Sequence, residues 1–97
     1  MFEKLLVTIS EKNALSKDYF VPEGFTNSRY ELAIKIVDEA KYYIEHGEGG
    51  VGLEVTLDNL YEIGFVLNQT ILELIRETVI LYGFNWGDWK DLEELLP

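Results

Sequence analysis

Apolar and polar positions divide the chain into six segments. In Met1–Ser10, the residues Phe2, Leu5, Leu6, Val7 and Ile9 form a short run with two β-branched members. It is read as a buried strand, although a helical turn or two fits so short a run as well. Glu11–Asn27 loses all periodicity around Pro22 and Gly24, while Tyr19, Phe20, Val21 and Phe25 pin it to the body as an ordered loop. A helix is predicted over Ser28–His46. Ser28 and Glu31 stand at capping-box spacing, and Ala33, Ile36, Val37, Ala40, Tyr43 and Ile44 make one apolar stripe. Gly47-Glu48-Gly49-Gly50 closes that helix, and Val51, Leu53 and Val55 then alternate as in a short strand. A hairpin of Lys41–His46 with Val51–Leu57 around the glycines is the competing reading of this stretch.

The next segment is periodic from Leu57 through Leu60, Ile63, Leu67, Ile71, Leu74, Ile75, Thr78 and Leu81. It predicts one long central helix over Leu57–Tyr82, capped by Thr56 or Asp58, weakest at Gly64 and closed by Gly83. Gly87–Leu96, with Trp89, Leu92, Leu95 and Leu96 on one side, reads as a short C-terminal helix. The expected fold class is therefore α+β and predominantly helical, in a single domain over 1–97. An all-α bundle is the alternative, because two short strands are marginal without helices to cover them.

Composition narrows the chemistry. The chain has no cysteine, so disulfides, thiolate metal sites and cysteine nucleophiles are excluded. It contains no run of 18 apolar residues, and Met1-Phe2-Glu3-Lys4 does not open a signal peptide, so a cytoplasmic location is expected. The single histidine, His46, lies at a predicted helix end with no further ligands in its pattern. No Gly-x-Ser-x-Gly elbow surrounds Ser10, Ser16 or Ser28, no Gly-Lys-Ser/Thr follows the glycines, and the calcium-loop spacing is missing. The expectation is a protein without enzymatic activity, cofactor or metal.

Charge is the more informative property. The chain carries 18 acidic and 8 basic residues for a net charge of −10, which disfavours direct binding to nucleic acid or to an anionic membrane. Residues 1–41 hold six basic and seven acidic residues, whereas 42–97 hold only Arg76 and Lys90 against eleven acidic ones. On one long helix Asp58, Glu62, Glu73 and Glu77 would fall within about 100° of each other, making an acidic ridge of roughly 28 Å. Asp88, Asp91, Glu93 and Glu94 extend it in sequence. Beside them Tyr82, Phe84, Trp86 and Trp89 crowd together, and large rigid side chains among carboxylates have the make-up of a binding hot spot. Packing of the last helix onto the long one would use the same aromatic residues.

The segment Tyr82-Gly83-Phe84-Asn85-Trp86-Gly87-Asp88-Trp89-Lys90-Asp91-Leu92 resembles the Tyr-Gly-x-Asn-(Leu/Trp)-Asp-Ala-Leu-Trp-Asp segment of the barstar family. Tyr82, Gly83, Asn85 and Asp91 match in register; Gly87 stands at the family's first inhibitory aspartate and Lys90 at its interface tryptophan. The resemblance implies what such a surface can do, since barstar is an acidic intracellular inhibitor that plugs a ribonuclease active site.

The functional expectation is an acidic protein-binding module that engages and inhibits a basic protein, such as a nuclease or another nucleic-acid enzyme. Its carboxylates would occupy phosphate sites as a nucleic-acid mimic. A phage antagonist of a host enzyme and a toxin-immunity protein both fit. The expected contact residues are Trp86, Asp88, Trp89, Asp91, Glu93 and Glu94, followed by Glu62, Glu73 and Glu77. The alternative is an assembly subunit that forms a homodimer through the long helix, where Phe65, Val66, Leu72 and Ile80 widen the apolar surface.

Overall fold

The computed structural model describes every residue, Met1–Pro97, and contains helices and turns but no strand. Four α-helices follow one another: α1 (Phe2–Ser16), α2 (Arg29–Glu45), α3 (Gly49–Ile63) and α4 (Gln69–Leu81). A tail with two 3₁₀ turns, Trp86–Asp88 and Lys90–Leu95, completes the chain. The expected α+β class is thus overturned, and the all-α alternative describes the molecule.

Both expected strands are helical for reasons visible in their burial. In α1 the inward residues are Phe2, Leu5, Leu6, Ile9 and Asn13, a helical spacing, while Val7 is 56% exposed. A strand would have put Leu5, Val7 and Ile9 on one face together. Asn13 sits inside because its Nδ2 donates to the Tyr30 carbonyl at 3.0 Å, tying α1 to α2. In α3 the inward set is Gly52, Leu53, Thr56, Leu57, Leu60 and Ile63, whereas Val51 faces solvent. The hairpin reading falls with the strand.

Gly47, at φ +73, provides the turn between α2 and α3, but Gly49 and Gly50 are the first residues of α3. The role of Gly49 and Gly52 is proximity. A Cβ on Gly52 would lie 2.7 Å from Tyr43 Cβ, so α3 crosses α2 at a distance only a glycine permits. Helix α2 keeps its expected start: the Glu31 amide donates to Ser28 Oγ at 3.2 Å, and the Ser28 hydroxyl donates to Glu31 Oε1 at 3.2 Å. The Ser28 hydroxyl, then the Ser28 amide and the Asn27 side chain, hold the Glu31 carboxyl below its ordinary value.

The predicted long helix is two helices. Gly64 adopts φ +68 and ends α3; Phe65 and Leu67 are buried in the connection; and the Asn68 side chain restarts the helix by accepting from the Ile71 amide at 2.8 Å. Arg29 fastens this break. Its Nε donates to the Ile63 carbonyl at 2.8 Å, its Nη1 pairs with Asp18 at 3.3 Å, and its guanidinium lies 4.6 Å from the centroid of the Phe20 ring. The loop 17–28, the start of α2 and the end of α3 therefore meet at one side chain.

Helix α2 packs against α1 and α3, and α4 packs against α1. The tail bridges the remaining side, its first 3₁₀ turn on α4 and its second on α3. The expected short C-terminal helix is replaced by these tighter turns, with Leu92 buried and Trp86, Trp89, Leu95 and Leu96 closing over the core. Of the residues expected to offer a self-association surface, Phe65 and Leu72 are buried within this core, while Val66 and Ile80 remain exposed.

Candidate protein-interaction site

Where the tail crosses α3, its turns and the helix enclose a shallow recess of about 130 Å³. The buried side chains of Leu57 and Leu92 line its base, and half-buried Trp89 forms one wall. Asp58 and Tyr61, one helical turn apart on α3, face Asp88 and Asp91 of the tail. Asp58 and Tyr61, three apart, share a face of α3, while Asp88 ends the first 3₁₀ turn and Asp91 lies in the second. The Asn85 side chain sets the first turn by accepting from the Gly87 amide at 2.9 Å, which directs Asp88 and Trp89 toward α3.

Tyr61 donates its hydroxyl to Glu94 Oε1 at 3.2 Å, adding a fourth carboxylate to the group. That hydrogen bond, then the Glu94 charge, partial burial and Asp91, push the phenol above its ordinary value. None of these carboxylates is ion-paired, because the ion pairs of the molecule are Arg29 with Asp18 and the N-terminal amine with Glu3. An aromatic wall, an apolar base and four unpaired carboxylates can accept a lysine or arginine side chain from another macromolecule, by charge and by cation–π contact together. Histidine, aspartate and glutamate side chains nowhere converge in the group of three that would hold a metal ion.

The structure thus brings Asp88, Trp89, Asp91 and Glu94 to one place, and adds Asp58 and Tyr61. Trp86 lies in the turn that packs on α4, half-buried. Glu93 is exposed on the tail outside the recess. Glu62 lines a different depression beside Lys35, Glu39 and Phe25. On α4 Glu73 accepts from Gln69 Nε2 at 3.4 Å and Glu77 is exposed. The continuous acidic ridge does not form, since the break at Gly64 separates Asp58 and Glu62 from Glu73 and Glu77. The signal for Asp58 and Tyr61 was their own spacing on a face that also carries buried Leu57.

No family model, characterised protein or solved structure matches the chain. Two of the residues shared with the barstar segment serve local geometry here: Gly83 takes φ +81 at the end of α4 and Asn85 caps the following turn.

Proposed function

We propose that this protein is a non-enzymatic binding module whose acidic, aromatic recess engages a basic protein and blocks its nucleic-acid-binding surface. The observation that supports this reading most directly is the gathering of Asp58, Asp88, Asp91 and Glu94 around Tyr61 and Trp89, with none of these carboxylates ion-paired within the molecule. A net charge of −10 speeds encounter with an electropositive surface. The half-buried Trp89 supplies an anchor that is already ordered before binding, which lowers the entropy cost of association.

Affinity capture from the source cell or its host, eluted first at low and then at high salt and identified by mass spectrometry, tests the proposal. One basic protein should be recovered, and its capture should fall when Asp88→Asn, Asp91→Asn and Glu94→Gln are combined. Capture that survives this triple change overturns the acidic mechanism.

A further inference from the structure

A second recess, sharing no residue with the first, lies between the C-terminal part of α1, the start of α2 and the α3–α4 connection. Its volume is about 320 Å³, the largest of the five principal depressions and at the lower end of the range for small-molecule sites. In a chain of net charge −10 it is the one among the five where cations outnumber carboxylates, with Lys12 and Arg29 against Asp18.

The cations there are positioned. Lys12 Nζ is held by Ser16 Oγ at 3.1 Å and stands 5.5 Å from the centroid of the Phe65 ring, leaving further N–H groups to donate. Arg29 uses Nε on the Ile63 carbonyl and Nη1 on Asp18, so its orientation is fixed while Nη2 makes no hydrogen bond. Asn13 lines the same recess, its Nδ2 donating to the Tyr30 carbonyl at 3.0 Å. Apolar side chains complete the lining: Phe65 and the exposed Val66 border the recess, and Phe20 lies over Arg29.

We propose that this recess binds a small molecule bearing a carboxylate on an apolar body. The carboxylate meets Lys12 and the free edge of Arg29, and the body lies along Phe65 and Val66. Two fixed donors suit a carboxylate, and the neighbouring apolar side chains favour a ligand that is more than a bare ion. The site is independent of the acidic recess, so each can fail without the other.

Amide chemical shifts from ¹H–¹⁵N spectra, recorded at constant ionic strength, test this with three probes: phenylacetate, inorganic phosphate and phenethylamine. Phenylacetate should give saturable shifts concentrated at Lys12, Asn13, Ser16, Asp18 and Val66. Lys12→Met, which keeps the apolar stem, should weaken it about tenfold, the value of one charge-assisted hydrogen bond, and Lys41→Met should leave it unchanged. Val66→Glu, which sets a negative charge at the mouth, should abolish binding and serves as the test if Lys12→Met does not fold. The proposal is overturned if phenylacetate gives no saturable shift, if phosphate alone binds, if phenethylamine shifts the same amides equally, or if a folded Lys12→Met or Val66→Glu protein binds as the parent does.

Discussion

Alanine placed at two glycines of the same helix should change stability in opposite directions. At Gly52 a Cβ would stand 2.7 Å from Tyr43 Cβ and 3.6 Å from the Ala40 carbonyl oxygen. The Tyr43 Cβ is fixed to the α2 backbone, so no change of rotamer relieves the clash; the two helices must separate by roughly 1 Å. Such overpacking costs about 1–3 kcal/mol, and a gap of that size forfeits a quarter to a half of the dispersion energy of neighbouring contacts. Against this stands the gain of about 1 kcal/mol for alanine over glycine within a helix. Gly52→Ala should therefore destabilise by up to about 2 kcal/mol, the lost dispersion keeping the sign unfavourable. At Gly50 the nearest atom is Phe84 Cζ at 3.6 Å, an ordinary contact, and Gly50→Ala should be neutral or stabilising by up to about 1 kcal/mol. Urea unfolding followed by circular dichroism at fixed pH reads both. Each kcal/mol moves the thermal midpoint of a domain this size by about 4–8 °C, so melting curves check the order independently. A Gly52→Ala protein as stable as the parent, with Gly50→Ala no better, would refute the claim that α2 and α3 need a glycine at their crossing.

At Gly64, φ +68 and a Cβ position 2.9 Å from Arg29 Nη2 make alanine unfavourable by at least about 1–2 kcal/mol. Asparagine, which tolerates the left-handed region better, should fall between glycine and alanine in urea midpoint. Because the Glu31 carboxyl is held below 4.5, chiefly by the Ser28 hydroxyl and then by the Ser28 amide and Asn27, the folded state binds its proton less readily than the unfolded state. Its contribution is therefore complete above that pH and lost as pH falls through the lower, folded value. The stability difference between the parent and Glu31→Gln, measured by urea midpoints from pH 6 to 3, should shrink over that window.

How far the fold was legible varies from helix to helix. The start of α2 could be read because its signal is local: Ser28 and Glu31 satisfy one another within a single turn. In α1 the signal was masked. The fifth inward position is Asn13, whose burial depends on the carbonyl of Tyr30 far along the chain, so the apolar stripe ended early and Val7 and Ile9 suggested a strand. Glycines misled in α3, where Gly49 and Gly52 answer to Tyr82 and Tyr43 and not to a turn. The division of the long helix was half visible, since Gly64 stood out as its weak point, whereas the restart at Asn68 went unread. At the tail, the crowding of Trp89 with Asp88 and Asp91 was legible, but their meeting with Asp58 and Tyr61 depends on how the last residues fold back across α3.

The last turns of the chain are joined to the four-helix body by a single main-chain bond, from the Leu67 amide to the Leu95 carbonyl at 3.0 Å. The rest of what holds them is side-chain contact, the Tyr61–Glu94 hydrogen bond and the packing led by the enclosed Leu92. Stripping them off would leave every rung of the four helices in place, so this stretch can open as a small unit of its own well before the whole molecule unravels. Half of the acidic recess rides on it. Whatever grips Trp89 and its neighbouring aspartates would clamp that unit shut, and binding strength and local order at the C-terminus would rise and fall together.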